Sequence, residues 1–123
     1  MAQKNLAHHI KHMFAATNYS LQGIATAAKS ETAFMQEILA LFVLPVAAWF
    51  YGIPLGSIVV IIAAWLFVMA LELLNMGIEA VCNLVSPEFH PLVKVAKDAG
   101  SAAVFVAITA NAIFWLHLVY TYW

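Results

Sequence analysis

Residues 38–71 contain no Asp, Glu, Lys or Arg, and neither do residues 99–123. A water-soluble chain of 123 residues has no core large enough to hide such runs, whereas a bilayer takes about 20 apolar residues per helix as its ordinary load. With 65% hydrophobic and 9% charged residues, the chain has room for three spans, a short polar segment and no separate soluble domain. The expected fold is an all-α membrane protein, one domain over residues 1–123, with spans at about 33–51, 57–84 and 93–123.

Gly52, Pro54 and Gly56 divide the first long run, marking a tight uncharged turn between spans one and two. Ser86, Pro87 and Pro91 punctuate the connection between spans two and three. Span two, at 1.5 Å per residue, is on the order of 40 Å long against a hydrocarbon core of about 30 Å, so its last turns protrude. Before the spans, Leu6, Ile10, Met13, Phe14, Thr17, Leu21 and Ile24 recur at three- and four-residue steps, the pattern of a helix lying on a membrane surface. Asn18 and Ser20 are expected to break that helix in two. Residues 1–32 lack the basic-then-apolar order of a cleavable signal, so the first span is expected to be retained.

The five lysines (Lys4, Lys11, Lys29, Lys94 and Lys97) fall before span one or between spans two and three. The positive-inside rule puts that side, with the N-terminus, in the cytoplasm and the C-terminus outside. All six acids (Glu31, Glu37, Glu72, Glu79, Glu88 and Asp98) lie toward the same side. Chemistry is therefore concentrated at one interface, and the outer half is apolar scaffold. A net charge of −1 offers no basic face for nucleic acid. Cys82 reads as a small buried hydrophobe.

Within span two, Glu72, Asn75 and Glu79 stand at i, i+3 and i+7, on one helical stripe. Ionisable groups in hydrocarbon cost several kcal/mol unless paired or solvated, so this stripe reads as a functional site, with a hydrogen-bonded interhelical seam as the alternative. Counted from Ile58, Glu72 lies about 21 Å and Glu79 about 31 Å along the helix, so Glu72 meets lipid and Glu79 meets water. A carboxylate at the first depth suits a general base, and one at the second a Mg²⁺ ligand. Lys94, Lys97, Asp98 and Ser101 open span three, where a lysine can meet phosphate oxygens. The small residues Gly100, Ala103, Ala107 and Ala110 suggest close helix packing, and Asn111 and His117 suggest interhelical hydrogen bonds. No G-x-x-x-x-G-K-[ST] loop, G-x-G-x-x-G or H-E-x-x-H occurs, so any nucleotide site is built differently.

Three blocks carry a resemblance: Glu72-Leu-Leu-Asn75-Met-Gly-Ile-Glu79-Ala-Val, Glu88-Phe-His90, and Ala96-Lys97-Asp98-Ala-Gly100-Ser101-Ala-Ala-Val, together with Glu31-Thr-Ala-Phe-Met-Gln36-Glu37. In these the chain resembles the prokaryotic diacylglycerol kinases, small trimeric membrane enzymes unrelated to soluble kinases. The resemblance implies ATP-dependent phosphorylation of diacylglycerol to phosphatidic acid at the bacterial inner membrane, by a homotrimer. It implies Glu72 as general base and Glu31 and Glu79 as ligands of ATP-bound Mg²⁺. Nucleotide contacts would come from His12, Tyr19, Glu31, Asn75, Glu79, Glu88, His90, Lys97 and Asp98. Lipid contacts would come from Glu72, Ser101, Met35, Gln36 and Glu37. The chain departs from the family's better-known members at His12 and Met35, where arginines are common, and at Asn83, where an aspartate is frequent. Undecaprenol kinase, a sister branch, is the nearest rival reading. A proton- or cation-coupled transporter subunit is the rival from another class.

Overall fold

The computed structural model describes residues 2–123, with side chains from Asn5 onward, so the Lys4 side chain lies outside the described residues. It consists of four helices: α1 (Ala2–Ser30), α2 (Thr32–Phe50), α3 (Leu55–Val85) and α4 (Pro91–Tyr122). Helices α2, α3 and α4 are each long and apolar enough to cross a membrane, as the uncharged runs require. At 1.5 Å per residue, α3 and α4 reach roughly 45 Å and so extend beyond a 30 Å hydrocarbon core. The charged residues lie on α1, at and just after the Glu31 break, in the α3–α4 connection, and in the halves of α3 and α4 nearest that connection.

Contrary to the expected break, α1 is continuous through Asn18 and Ser20. Its hydroxyls bond back into the helix instead of capping a new one: Thr17 Oγ1 donates to the Met13 carbonyl at 2.9 Å and Ser20 Oγ to that of Ala16 at 3.0 Å. The interruption comes at Glu31, the single residue between α1 and α2, which is extended at φ −119° and ψ 108°. At the other end of α2, the Gly52 N–H reaches the Trp49 carbonyl and the Ile53 N–H that of Ala48, both at 3.0 Å. This is a Schellman stop, and Gly52 supplies its left-handed φ of 76°. Pro91 opens α4 where no N–H is needed, and the His90 ring accepts a hydrogen bond from the Leu92 N–H at 3.2 Å.

Packing divides into two clusters. Near the Gly52 turn, Ala48, Ile58, Ile61 and Leu118 join α2, α3 and α4, supported by Ile53, Phe114 and Trp115. Near the Glu31 break, Ala27, Phe34 and Met69 join α1, α2 and α3, supported by Ile38, Trp65 and Met76. Between α3 and α4 the Asn111 amide donates to the Ala64 carbonyl at 3.3 Å, and Cys82 is a buried free thiol. Of the small-residue stripe, Gly100 and Ala107 are buried, while Ala103 and Ala110 line an open apolar recess beside them.

Candidate active site

Where α1 meets α2 beside the last turns of α3, a cavity of about 130 Å³ is lined by Ala27, Glu31, Ala33, Phe34, Glu72, Asn75, Met76 and Glu79. The stripe on α3 supplies one wall, because i, i+3 and i+7 point the same way. Glu31 reaches the opposite wall because the chain breaks at that residue. Its side chain makes no cap hydrogen bond to α2, so the carboxylate is free for the cavity. Three carboxylates and one amide thus face a single space at the polar end of the molecule.

Glu37, on α2, joins this group from the deeper side. Its carboxyl lies against that of Glu72, and its Oε2 is buried without a hydrogen-bond partner. Its backbone is fixed by the Trp65 indole, which donates to the Glu37 carbonyl at 2.9 Å and ties α2 to α3 about two turns before Glu72. Asn75 has the other orphan: its Oδ1 is buried and unpartnered, and lies against α4 at Gly100.

Lys97 approaches from α4 and donates from Nζ to Asn83 Oδ1 at 2.7 Å, on the α3 face one turn beyond Glu79. Asp98 is engaged by Lys94 in an exposed i, i+4 ion pair, of a kind that stabilises little and exchanges readily for a ligand. Helix α4 thus brings Lys97 to the α3 face, where Asn83 holds it, while neither Lys97 nor Asp98 lines the cavity. Asn83 stood out in the sequence only as a substitution for a frequent aspartate. The signal for its role was its i+4 spacing from Glu79.

The remaining candidate residues stand outside the cavity lining. His12 and Tyr19 are exposed along α1, Met35 and Gln36 are exposed on α2, and Ser101 is exposed on α4. Glu88 is exposed in the α3–α4 connection, its carbonyl accepting from Ser86 Oγ at 3.0 Å, and His90 is engaged in capping α4. A single subunit brings together the carboxylates and Asn75, and leaves these other groups on open surface.

The match to the family described as prokaryotic diacylglycerol kinase extends over residues 18–119, which includes every element of the cavity. The chain belongs to that family. It is similar to the diacylglycerol kinase of Haemophilus influenzae, 42% identical over 106 residues covering 86% of this chain and 90% of the relative. A similar likeness holds to the Pseudomonas aeruginosa diacylglycerol kinase, at 43% over 106 residues and 86% of each chain. The Escherichia coli diacylglycerol kinase is 37% identical over 107 residues, covering 87% of this chain and 88% of the relative. The protein is an integral-membrane lipid kinase.

Proposed function

We propose that this kinase transfers the γ-phosphoryl group of ATP to the free hydroxyl of diacylglycerol, giving phosphatidic acid and ADP at the cytoplasmic face of the membrane. The observation that carries this reading is the cavity shared by Glu31, Glu72, Asn75 and Glu79 at the polar end of a diacylglycerol kinase fold. Glu72, the deepest member of the stripe, takes the hydroxyl proton as the lipid oxygen bonds to the γ-phosphorus and the bond to the ADP oxygen breaks. Glu37 beside it, with Met35, Gln36 and Ser101, forms the lipid side. Asn75 donates to the phosphate end, and Lys97 meets phosphate oxygens as a point charge. His12, Tyr19, Glu88, His90 and Asp98 complete the nucleotide contacts.

No group of three His, Cys, Asp or Glu side chains able to hold a metal occurs among the described residues. That fits Mg²⁺ arriving with the nucleotide, since Mg²⁺ is held by one or two carboxylates and completed by phosphates and water. Glu31 and Glu79, facing one space from two helices, would hold it. There Mg²⁺ would neutralise and orient the β- and γ-phosphates. Positioning supplies most of the acceleration.

The exposed stations of Tyr19, Met35, Gln36 and Ser101 support assembly with further copies, most simply a homotrimer, so that one subunit's cavity is closed by its neighbours. Mass measurement in mild detergent is expected to give three chains, and a fully active monomer would refute this. The one-sided lysines support a cytoplasmic N-terminus and an external C-terminus. A cytoplasm-dependent reporter should work in the 86–91 loop and be silent after Trp123.

The activity itself is tested by incubating the purified protein with radiolabelled ATP and a mixed lipid extract. Label is expected in phosphatidic acid. Label in a polyprenyl phosphate would move the substrate to undecaprenol, and absence of any labelled lipid would overturn the reading.

A further inference from the structure

Gly100 is the only one of the chain's five glycines at which an added Cβ would meet anything within 4 Å. At Gly23, Gly52, Gly56 and Gly77 the space is open. At Gly100 a methyl group would overlap the Oδ1 of Asn75, with Asn75 Cγ at 3.4 Å and Ile78 Cδ1 at 3.5 Å. Gly100 is also buried at the α3–α4 contact, one turn beyond Lys97. The missing side chain thus makes room for one particular amide oxygen.

That oxygen is buried and has no hydrogen-bond partner. A buried amide oxygen left without a donor is ordinarily avoided, at a cost of about 1–3 kcal/mol, and its persistence calls for an explanation. The surroundings supply one. On its other side Asn75 faces a cavity whose remaining polar lining is the carboxylates of Glu31, Glu72 and Glu79. An amide oxygen turned toward three acids would add like polarity to like, whereas the Nδ2 group is a donor with two hydrogens. Seating Oδ1 over the bare Cα of Gly100 leaves Nδ2 directed at the space where phosphate oxygens and carboxylates meet.

We propose that Gly100 is a positioning residue for phosphoryl transfer: its lack of a side chain lets α4 receive the Asn75 oxygen, so that the Asn75 NH₂ faces the phosphate end of the cavity. This rests on the phosphate role proposed for Asn75. The clash in a Gly100→Ala variant falls on the far end of a rotatable side chain rather than on backbone. The amide moves and the helices stay. Pushed from α4, Asn75 turns its oxygen toward Glu72 and Glu79 and withdraws its donor.

The test is a double-mutant cycle on the full-length protein in detergent or vesicles, with Mg-ATP and diacylglycerol as substrates. Gly100→Ala is expected to lower kcat/KM for Mg-ATP roughly ten- to a hundredfold, the scale of one lost hydrogen bond to a charged group. KM for the lipid and the melting temperature of the oligomer should be nearly unchanged. Asn75→Ala should show a similar loss. The double variant should be no worse than Asn75→Ala alone, because the added methyl then has nothing to displace.

Normal kinetics in Gly100→Ala beside an impaired Asn75→Ala would overturn the proposal alone, as would losses that multiply in the double variant or a change confined to lipid KM. Full activity in Asn75→Ala would overturn the phosphate role of Asn75 and the proposal with it. If Gly100→Ala fails to assemble, recovery of assembly in the double variant supports the proposal. Continued failure there makes Gly100 a packing residue and refutes it.

Discussion

The two ends of this molecule share α2 and α3, with α4 completing one packing cluster and α1 the other, and hold cavities of opposite character. At the Gly52 end, a cavity of about 210 Å³ is lined by Leu44, Ala48, Tyr51, Trp115, Leu118 and Trp123 among others, with no charged residue in its wall. At the Glu31 end, the smaller cavity carries Glu31, Glu72, Asn75 and Glu79. The helix stops differ as well. The Gly52 turn satisfies its backbone groups by a Schellman motif and the Tyr51 ring packs edge-on against Trp123. The break at Glu31 leaves a side chain uncapped, and buried polar atoms of Glu37 and Asn75 go unpartnered nearby. Among the described residues, one end shows no buried polar side-chain atom without a partner, and the other holds two, on Glu37 and Asn75. This is the division expected of a scaffold end and a reacting end.

The largest effect is expected at Glu72. Glu72→Gln keeps size and hydrogen-bonding reach but removes the proposed proton acceptor, so kcat should fall on the order of 10²- to 10⁴-fold with nucleotide binding nearly intact. Glu79→Gln removes a proposed Mg²⁺ ligand from the same cavity. Its loss, roughly ten- to a hundredfold, should appear in apparent affinity for Mg-ATP together with turnover, as measured by initial rates at varied Mg-ATP.

Smaller effects are expected from the scaffold, and on stability rather than chemistry. Leu118, 4% exposed in the outer cluster, packs against Ala48, Ile58 and Ile61. Leu118→Ala should lower unfolding stability by about 1–2 kcal/mol, less than in a water-soluble core because lipid tails replace part of the lost contact. Turnover per folded molecule should hold. Trp65→Phe removes one hydrogen bond to the Glu37 carbonyl, about 1 kcal/mol. It should cost slightly more activity than Leu118→Ala does, since Glu37 lies against Glu72.

The part of this division written in the sequence is the part that one helix can express alone. Uncharged runs mark the spans, and i, i+3, i+7 spacing puts Glu72, Asn75 and Glu79 on one stripe, which the cavity then uses as a wall. Side-chain back-bonding in α1 was not legible, since Thr17 and Ser20 serve equally as turn residues or as helix members bonded to a carbonyl four residues back. Contacts between helices were also hidden. Nothing in helical periodicity brings the Trp65 indole to the Glu37 carbonyl, Lys97 to Asn83, or the Asn75 oxygen onto Gly100. The small-residue stripe pointed to close packing as a whole, while the structure buries Gly100 and Ala107 and leaves Ala103 and Ala110 exposed.

Reaction and scaffold are expected to be separable ends of one bundle. The most direct measurement sets Glu72→Gln beside Leu118→Ala, reading labelled phosphate transfer per folded molecule and thermal stability on the same preparations. Glu72→Gln should lose transfer by at least a hundredfold with stability kept, and Leu118→Ala should lose stability with transfer kept. Near-normal lipid phosphorylation by a well-folded Glu72→Gln protein would show that Glu72 is not the base and that the reaction does not depend on it at the Glu31 end.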